Sequence, residues 1–157
     1  LIEYIALKKK PMIISTGMAT RAEIDMACTA AKDAGCTDLT VLKCTSSYPA
    51  PANECNLRTL GIMRFNRWGE VKVGFSDHTV GIGAAIAASV LGASIIEKHL
   101  TLDNEPGPDS NFSLRPDEFK RMVAEIRRAV ESIGEVRYGP LPSEESSLVI
   151  RQIRRRK

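Results

Sequence analysis

Four short runs of apolar and β-branched residues divide the chain at nearly regular intervals. They cover residues 11–16, 39–45, 71–77 and 94–100 and read PMIIST, LTVLKCT, VKVGFSD and SIIEKHL. Each run is short for a helix, and its nearly continuous apolar character is typical of strands that are buried on both faces of a sheet. The runs therefore predict four β-strands.

Helical patterns fill the segments between these runs. The first helix begins at Thr20, which has capping-box spacing with Glu23, and Gly35 provides its C-terminal stop. The other three helices are predicted at residues 54–67, 79–93 and about 116–133. This α/β alternation predicts parallel strands joined by right-handed crossovers, either in an open doubly wound sheet or in part of a (β/α)8 barrel. Both architectures place their chemistry at the C-terminal ends of the strands.

The composition is that of an ordinary globular domain, with 43% hydrophobic and 26% charged residues among 157. No apolar run reaches the roughly 18 residues of a membrane span, and we expect no signal peptide. The net charge of +3 owes much to the final RQIRRRK, so it does not indicate a nucleic-acid surface. The four cysteines lack zinc-ligand spacing and are expected to be free thiols in a reducing cytoplasm, with a catalytic role left open only for Cys44.

The two histidines of the chain, His78 and His99, both stand at the ends of predicted strands. Imidazole binds divalent transition metals well, and two imidazoles on adjacent parallel strands could reach one ion. In that arrangement Glu97 or Asp77 would orient a ring from behind. The alternative is that each histidine only forms a hydrogen bond at its strand end, and the spacing does not separate the two.

Hydroxyl groups and lysines also gather at the strand ends. Three serines, Ser15, Ser46 and Ser76, stand where they could hold a phosphate or carboxylate, or could simply cap helices. Lys43 and Lys98 lie within strand runs, so each needs a carboxylate, a ligand or solvent as partner.

Two loops carry further polar groups. Tyr48 opens the stiff turn YPAP, and the loop after the fourth strand holds Asp103, Glu105 and Asp109 around PGPD. Without further information, both are ordinary polar loops.

Taken in order, four segments resemble the sialic acid synthase family. They read KPMIISTGMA, VLKCTSSYPAP, GFSDHTVG and ASIIEKHLTLD with PGPDSNFSL, and the resemblance extends over about residues 10–148. It implies a (β/α)8 barrel of about 250 residues followed by a small antifreeze-like domain, with these four βα units as the second half of the barrel. We therefore interpret residues 1–140 as a partial TIM-barrel synthase domain. Residues 141–157 are then a C-terminal basic tail that starts a truncated linker to the antifreeze-like domain.

The resemblance also implies an activity. Family members condense phosphoenolpyruvate with an N-acetylated hexose to form a nine-carbon keto acid, and release phosphate. Lys43 in LKCTSSYPAP, together with PDSNFSL, resembles the pseudaminic acid synthases most, whose sugar is a 6-deoxy hexose. N-acetylmannosamine, the substrate of N-acetylneuraminate synthases, is the alternative.

The resemblance further implies that full-length members act as homodimers. Here the family's first four βα units, with an essential glutamate and phosphate-binding lysines, are not found, and VIRQIRRRK departs from the family pattern. The alternative function is therefore that of a non-catalytic half-barrel remnant that associates with another chain.

Site residues follow from the same resemblance. It implies that His78 and His99 bind a divalent metal, usually manganese, with magnesium or cobalt as alternatives. The other residues it implies are a catalytic group, Glu97, Tyr48 and Asp109, and a substrate-binding group, Ser15, Ser46, Ser76 and Lys43. In this scheme the metal polarises the sugar aldehyde, and the serines hold the phosphate or carboxylate of phosphoenolpyruvate.

Overall fold

A computed structural model describes residues 1–65, 68–102 and 107–148 of the chain. The described part contains the strands β1 (Met12–Ser15), β2 (Leu39–Cys44), β3 (Val71–Asp77) and β4 (Ile96–Lys98). Its helices are α1 (Ile2–Ala6), α2 (Arg21–Asp33), α3 (Thr59–Arg64), α4 (Gly83–Val90) and α5 (Pro116–Ser132), with short 3-10 turns at Ala52–Glu54 and Pro142–Glu144. The acidic loop residues Asp103 and Glu105 and the basic end of the tail, 149–157, lie outside the described residues.

The strands form one parallel sheet in the order β1-β2-β3-β4, and each strand pairs with its neighbour in sequence. A helix follows every strand, as right-handed crossovers between parallel strands require. Four successive βα units in sequential order are the arrangement of half a (β/α)8 barrel, and the predicted fold class is confirmed. Within the described residues, no helix is long and apolar enough to cross a membrane.

Alternating strand residues face opposite sides of the sheet. One set packs with the helices in the main core, and its strand members are Met12, Ile14, Leu39, Val41, Val71, Val73, Phe75 and Ile96. The other set faces the side that is the interior of a closed barrel. There Ile13 is 53% exposed, and Ser15 and Glu97 are exposed as well. This second face carries polar groups toward the C-terminal ends of the strands.

The predicted helices are present, but several are shorter than expected. The helix predicted from residue 54 begins only at Thr59 as α3, because Asn56 has φ 46°, a left-handed conformation that a right-handed helix cannot contain. The one predicted at 79–93 is limited to α4, between Gly81 at φ 79° and Gly92 at φ 91°. The sequence reading did not predict α1, whose Ala6 is fully buried.

The start of α2 has the capping box predicted for Thr20 and Glu23. The backbone N–H and the hydroxyl of Thr20 both donate to Glu23 Oε2 at 2.7 Å, and the Glu23 N–H donates to Thr20 Oγ1 at 3.4 Å. These hydrogen bonds lower the pKa of the Glu23 carboxyl, the backbone bond contributing most.

We expect Thr20→Ala to lower the free energy of unfolding by about 1 kcal/mol at neutral pH, since a capping hydrogen bond is lost. The lowered pKa stabilises the fold above the unfolded-state pKa, and this contribution disappears as the pH falls through the folded-state pKa. The difference between variant and wild type should therefore narrow in acid, as measured by chemical denaturation. Thr29→Ala, at an exposed position inside the same helix, is the control and should not destabilise. An equal decrease in the free energy of unfolding of both variants would contradict the assignment of Thr20 as the cap of α2.

Candidate metal and substrate site

The structure brings the two histidines together at the C-terminal ends of β3 and β4. Asp77 pairs with Lys98 in the parallel ladder, so the next residues of the two strands, His78 and His99, are neighbours. Their ring centroids lie 5.1 Å apart, and the ring planes are nearly perpendicular at 83°. His78 is 5% exposed, whereas His99 is partly open to solvent.

The hydrogen-bond partners of the rings decide which nitrogen atoms carry protons. His78 Nδ1 lies 2.9 Å from the carbonyl oxygen of Thr45, and a carbonyl only accepts, so this nitrogen donates. His99 Nδ1 lies 3.4 Å from Asp109 Oδ2, which favours a proton on the same nitrogen. In the neutral form of each ring, this arrangement keeps the lone pair on Nε2. This is the tautomer in which imidazole binds a metal while a second group fixes the ring.

Ser76 and Glu97 form a second polar pair beside His78. Ser76 Oγ donates to Glu97 Oε1 at 2.6 Å and lies 3.3 Å from His78 Nε2. The hydroxyl has one proton, and the shorter bond to a carboxylate is the stronger one. The lone pair of His78 Nε2 is therefore left available. The two Nδ1 atoms face Thr45 and Asp109, so neither Glu97 nor Asp77 is the group at Nδ1, and the expectation that one of them orients a ring stays a prediction.

Two aromatic rings form a wall around the histidine pair. The Tyr48 centroid lies 4.3 Å from that of His78, and the Phe112 centroid lies 4.9 Å from that of His99. Tyr48 is 54% exposed and faces the open side, whereas Phe112 is buried. The backbone N–H of Ala50 donates to the His78 carbonyl at 2.9 Å and holds the Tyr48 turn in place. Sequence reasoning missed Phe112, although it is the lone aromatic side chain in an otherwise polar loop.

The loop that carries Asp109 and Phe112 is tied back onto the strand end. The Leu114 N–H donates to the His99 carbonyl, and the Thr101 N–H donates to the Leu114 carbonyl, both at 2.9 Å. A cleft of about 300 Å³ lies between loop and strand, within the usual range for small-molecule sites. Its polar lining includes His99, Thr101, Asp109, Ser110 and Ser113. Hydroxyl and carboxylate groups in this arrangement suit a ligand with several hydroxyl groups.

Ser15 and Ser46 lie toward the other end of the rim. Ser15 pairs with Leu42 and is exposed on the same face of the sheet as Ser76. Ser46 is also exposed, and its Oγ lies so close to Gly17 that a Cβ there would come within 2.0 Å of it. The two serines are therefore at the predicted edge of the sheet, on the side of β1 and β2. Their role in binding phosphoenolpyruvate stays a prediction.

Lys43 is not brought together with the histidines. It follows Leu39 and Val41 on the helix-facing side of β2 and lines a cavity of about 410 Å³ that Arg21 and Trp68 also line. Its ammonium group donates to the Cys44 carbonyl at 2.9 Å and to Thr45 Oγ1 at 3.2 Å. The period-two alternation of the strand was the signal that could have shown this. Its role in substrate binding stays a prediction.

The four cysteines are free thiols, and all are buried. Burial raises the pKa of Cys28 to about 11. Burial, and next the nearby Asp77 carboxylate, also raise the pKa of Cys55. Neither thiol is therefore suited to act as a nucleophile at neutral pH, because the thiolate is the reactive form.

The separation of the two histidine rings is compatible with a shared metal ion that keeps open coordination positions. Two imidazoles bound at about 2.1 Å, with an angle of about 90–110° at the ion, have ring centroids about 4.6–5.3 Å apart. The observed 5.1 Å lies in this range. Within the described residues there is no group of three or more His, Cys, Asp or Glu side chains that could hold a metal. The remaining ligands would thus be water or substrate oxygens, which suit manganese or magnesium.

Comparisons with known proteins point in one direction. The model of the NeuB family matches residues 1–138. The chain is 43% identical over 148 residues to a pseudaminic acid synthase of Campylobacter jejuni, covering 94% of this chain and 42% of that protein. It is 37% identical over 160 residues to an N,N'-diacetyllegionaminic acid synthase of Legionella pneumophila, covering 99% and 44%. The chain thus spans about half the length of the curated relatives it matches.

A solved structure shares the architecture as well as the sequence. The chain superimposes on the crystal structure of an N-acetylneuraminic acid synthetase from Leptospira borgpetersenii, determined in complex with citrate, with a TM-score of 0.81 and 32% identity. The match covers 99% of this chain and 54% of that one. The four βα units therefore correspond to about half of a larger fold.

Proposed function

Because the chain belongs to the NeuB family, we propose that it provides the metal- and sugar-binding half of a sialic acid-type synthase. The reaction is the condensation of phosphoenolpyruvate with an N-acetylated hexose to a nine-carbon keto acid, with release of phosphate. The observation that supports it most is the pair of imidazoles, 5.1 Å apart, each with Nδ1 engaged and Nε2 left to bind a metal. From the family resemblance seen in the sequence, the proposal includes a homodimer for full-length members and a cytoplasmic location.

In this reaction, carbon three of phosphoenolpyruvate attacks the sugar aldehyde, water adds at carbon two, and phosphate leaves with cleavage of its C–O bond. His78 and His99 would hold the metal, which supplies Lewis-acid stabilisation of the aldehyde oxygen when bound. Glu97 would position the attacking water, since its second carboxylate oxygen remains after one has accepted from Ser76. Asp109 and the hydroxyl groups of the cleft would hydrogen-bond the sugar.

The sugar substrate that we propose is a 6-deoxy hexose of the pseudaminic acid type. The motif LKCTSSYPAP and the loop PDSNFSL support it, as does the 43% identity to a pseudaminic acid synthase. Legionaminic acid synthases match almost as well, with one in Campylobacter jejuni at 42% over 137 residues. N-acetylmannosamine is the alternative sugar, and the same assay decides between them.

A chimeric enzyme tests the proposed function. This chain replaces the matching segment of the Campylobacter jejuni pseudaminic acid synthase, so that the relative supplies the rest of the protein. With phosphoenolpyruvate, Mn²⁺ and the 6-deoxy hexose, we expect phosphate release together with formation of the keto acid. Preference for N-acetylmannosamine would correct the substrate. A folded chimera without turnover on any of these sugars would contradict the function.

The isolated chain is the comparison for that assay, and we expect it to show negligible turnover. The opposite result, a rate like that of an ordinary enzyme, would contradict the half-site proposal. A second candidate function, association with another chain without catalysis, is supported by the outer strand β1, which in the described sheet pairs on one side only, with β2. Exposed strand edges favour association. A chimera that assembles but does not turn over, beside an isolated chain that dimerises, would support it.

A further inference from the structure

A buried ion pair lies immediately before the two histidines in the chain. Lys98 Nζ lies 3.1 Å from Asp77 Oδ2, and both side chains are fully buried. Asp77 precedes His78, and Lys98 precedes His99. The two are also register partners in the last pair of the β3–β4 ladder. The ion pair therefore joins the two strands at the point where the imidazoles begin.

A third residue completes this connection. Asp77 Oδ1 accepts hydrogen bonds from the backbone N–H and the hydroxyl of Thr79, at 2.9 and 2.8 Å. Lys98 Nζ donates to the Thr79 carbonyl oxygen. The residues on both sides of His78 are thus bound to the residue that precedes His99.

The pair lies on the helix-facing side of the sheet, opposite the face proposed to bind substrate. Asp77 follows Val73 and Phe75 on the helix-facing side of β3, and Lys98 follows Ile96 on the same side of β4. Among the described residues no hydrogen bond reaches Asp77 Oδ2, so its partner is the Lys98 charge alone. The pair lies behind the histidines, on the side away from Glu97.

Stability alone is a poor reason for such a pair. Burying two charges costs desolvation energy that their attraction only partly returns, and apolar residues of similar volume often serve as well or better. What a buried pair offers instead is a defined register. The β3–β4 ladder has only three register pairs, Phe75–Ile96, Ser76–Glu97 and Asp77–Lys98, so its backbone hydrogen bonds hold the strand ends weakly.

We propose that Asp77 and Lys98 are positioning residues, which fix the strand ends so that the His78 and His99 rings stand at metal-binding separation. The proposal rests on the proposed function only in taking the two imidazoles as metal ligands. The geometry of the rings themselves is testable without metal.

The histidine count of the chain makes the test direct. Labelling histidine with ¹³C and ¹⁵N gives only two imidazole spin systems, because the chain contains two histidines. In metal-free wild type we expect a nuclear Overhauser effect between the rings of His78 and His99, called the inter-ring effect below. Mn²⁺ should then broaden the signals of both rings, and titration calorimetry measures its affinity.

The main variant is Asp77→Asn/Lys98→Met, which removes both charges together and leaves an amide oxygen as acceptor for Thr79. We expect a native circular dichroism spectrum, loss of the inter-ring effect and at least a tenfold weaker affinity for Mn²⁺. The matched control is Asp38→Asn/Lys72→Met, which removes an exposed ion pair of 2.9 Å between β3 and the residue before β2. The control should behave as wild type in all three measurements.

The outcomes separate the two proposals. A folded Asp77→Asn/Lys98→Met variant that keeps the inter-ring effect overturns the positioning role, as does a wild type that lacks it. Loss of the effect in the variant, with no Mn²⁺ broadening in wild type, supports positioning but overturns the metal site. If that variant does not fold, Asp77→Glu decides, because it keeps the charge and moves it by one methylene. An unchanged inter-ring effect in Asp77→Glu then overturns the proposal.

Discussion

Mn²⁺ is expected to bind the metal-free chain saturably in titration calorimetry, and His78→Ala/His99→Ala should abolish this binding. Each single substitution should weaken affinity by more than about 100-fold, since even groups that only orient a metal ligand contribute 10–100-fold. The proposed site has two imidazole ligands, so each single substitution leaves the metal with only one.

The controls separate this site from general attraction of cations to acidic surface. Asp33→Asn removes an exposed carboxylate at the end of α2 and should leave the affinity unchanged. Circular dichroism has to show that the histidine variants are folded, since His78 is buried and its ring is bonded to Thr45. Equal affinity in wild type and the folded double variant would refute the metal site.

The largest expected effect on stability is at Gly74, in the middle of β3. A Cβ at this position would lie 2.5 Å from Leu42 Cδ2 and 2.6 Å from the Ile95 carbonyl oxygen. That carbonyl accepts a hydrogen bond of 2.9 Å from the Phe75 N–H, so it cannot move without loss of a contact between β3 and the start of β4. We expect Gly74→Ala to lower the free energy of unfolding by about 3 kcal/mol, measured by chemical denaturation.

Gly61 in α3 is the matched control for this substitution. No atom lies within 4 Å of a Cβ placed there, and its backbone is helical. Gly61→Ala should therefore stabilise the protein by up to about 1 kcal/mol, through helix propensity and a less flexible unfolded chain. A similar loss of stability at both positions would show that crowding is not the cause at Gly74.

Local signals predicted most of the fold. Apolar runs located the strands within a few residues, and Thr20 with Glu23 located the start of α2, because both depend on residues close together in sequence. The helix boundary was predicted wrongly where a single backbone angle determined it. The positive φ of Asn56 ends the preceding segment, and no hydrophobic pattern reports it.

The candidate site was predictable in position but not in its contacts. Parallel strands bring their C-terminal ends to one edge, so His78 and His99 were expected to be close. The group that faces each Nδ1 atom could not be predicted. The Thr45 carbonyl belongs to the backbone and leaves no sequence signal, and Asp109 reaches His99 only through the course of a loop. The alternation of residues along β2, by contrast, does predict that Lys43 lies on the helix-facing side, together with Leu39 and Val41.

The sequential order β1-β2-β3-β4 has a consequence for folding kinetics. Every pairing in the described sheet joins strands that are consecutive in the chain, so no pairing has to close a loop longer than that of one βα unit. Such a sheet can grow one unit at a time, by addition of each new strand to the edge already formed. The β3–β4 ladder is the shortest of the three, with three register pairs against four and six. Because it joins the two histidine-bearing strands, the chemistry at their ends depends on the step of assembly with the fewest backbone contacts to drive it.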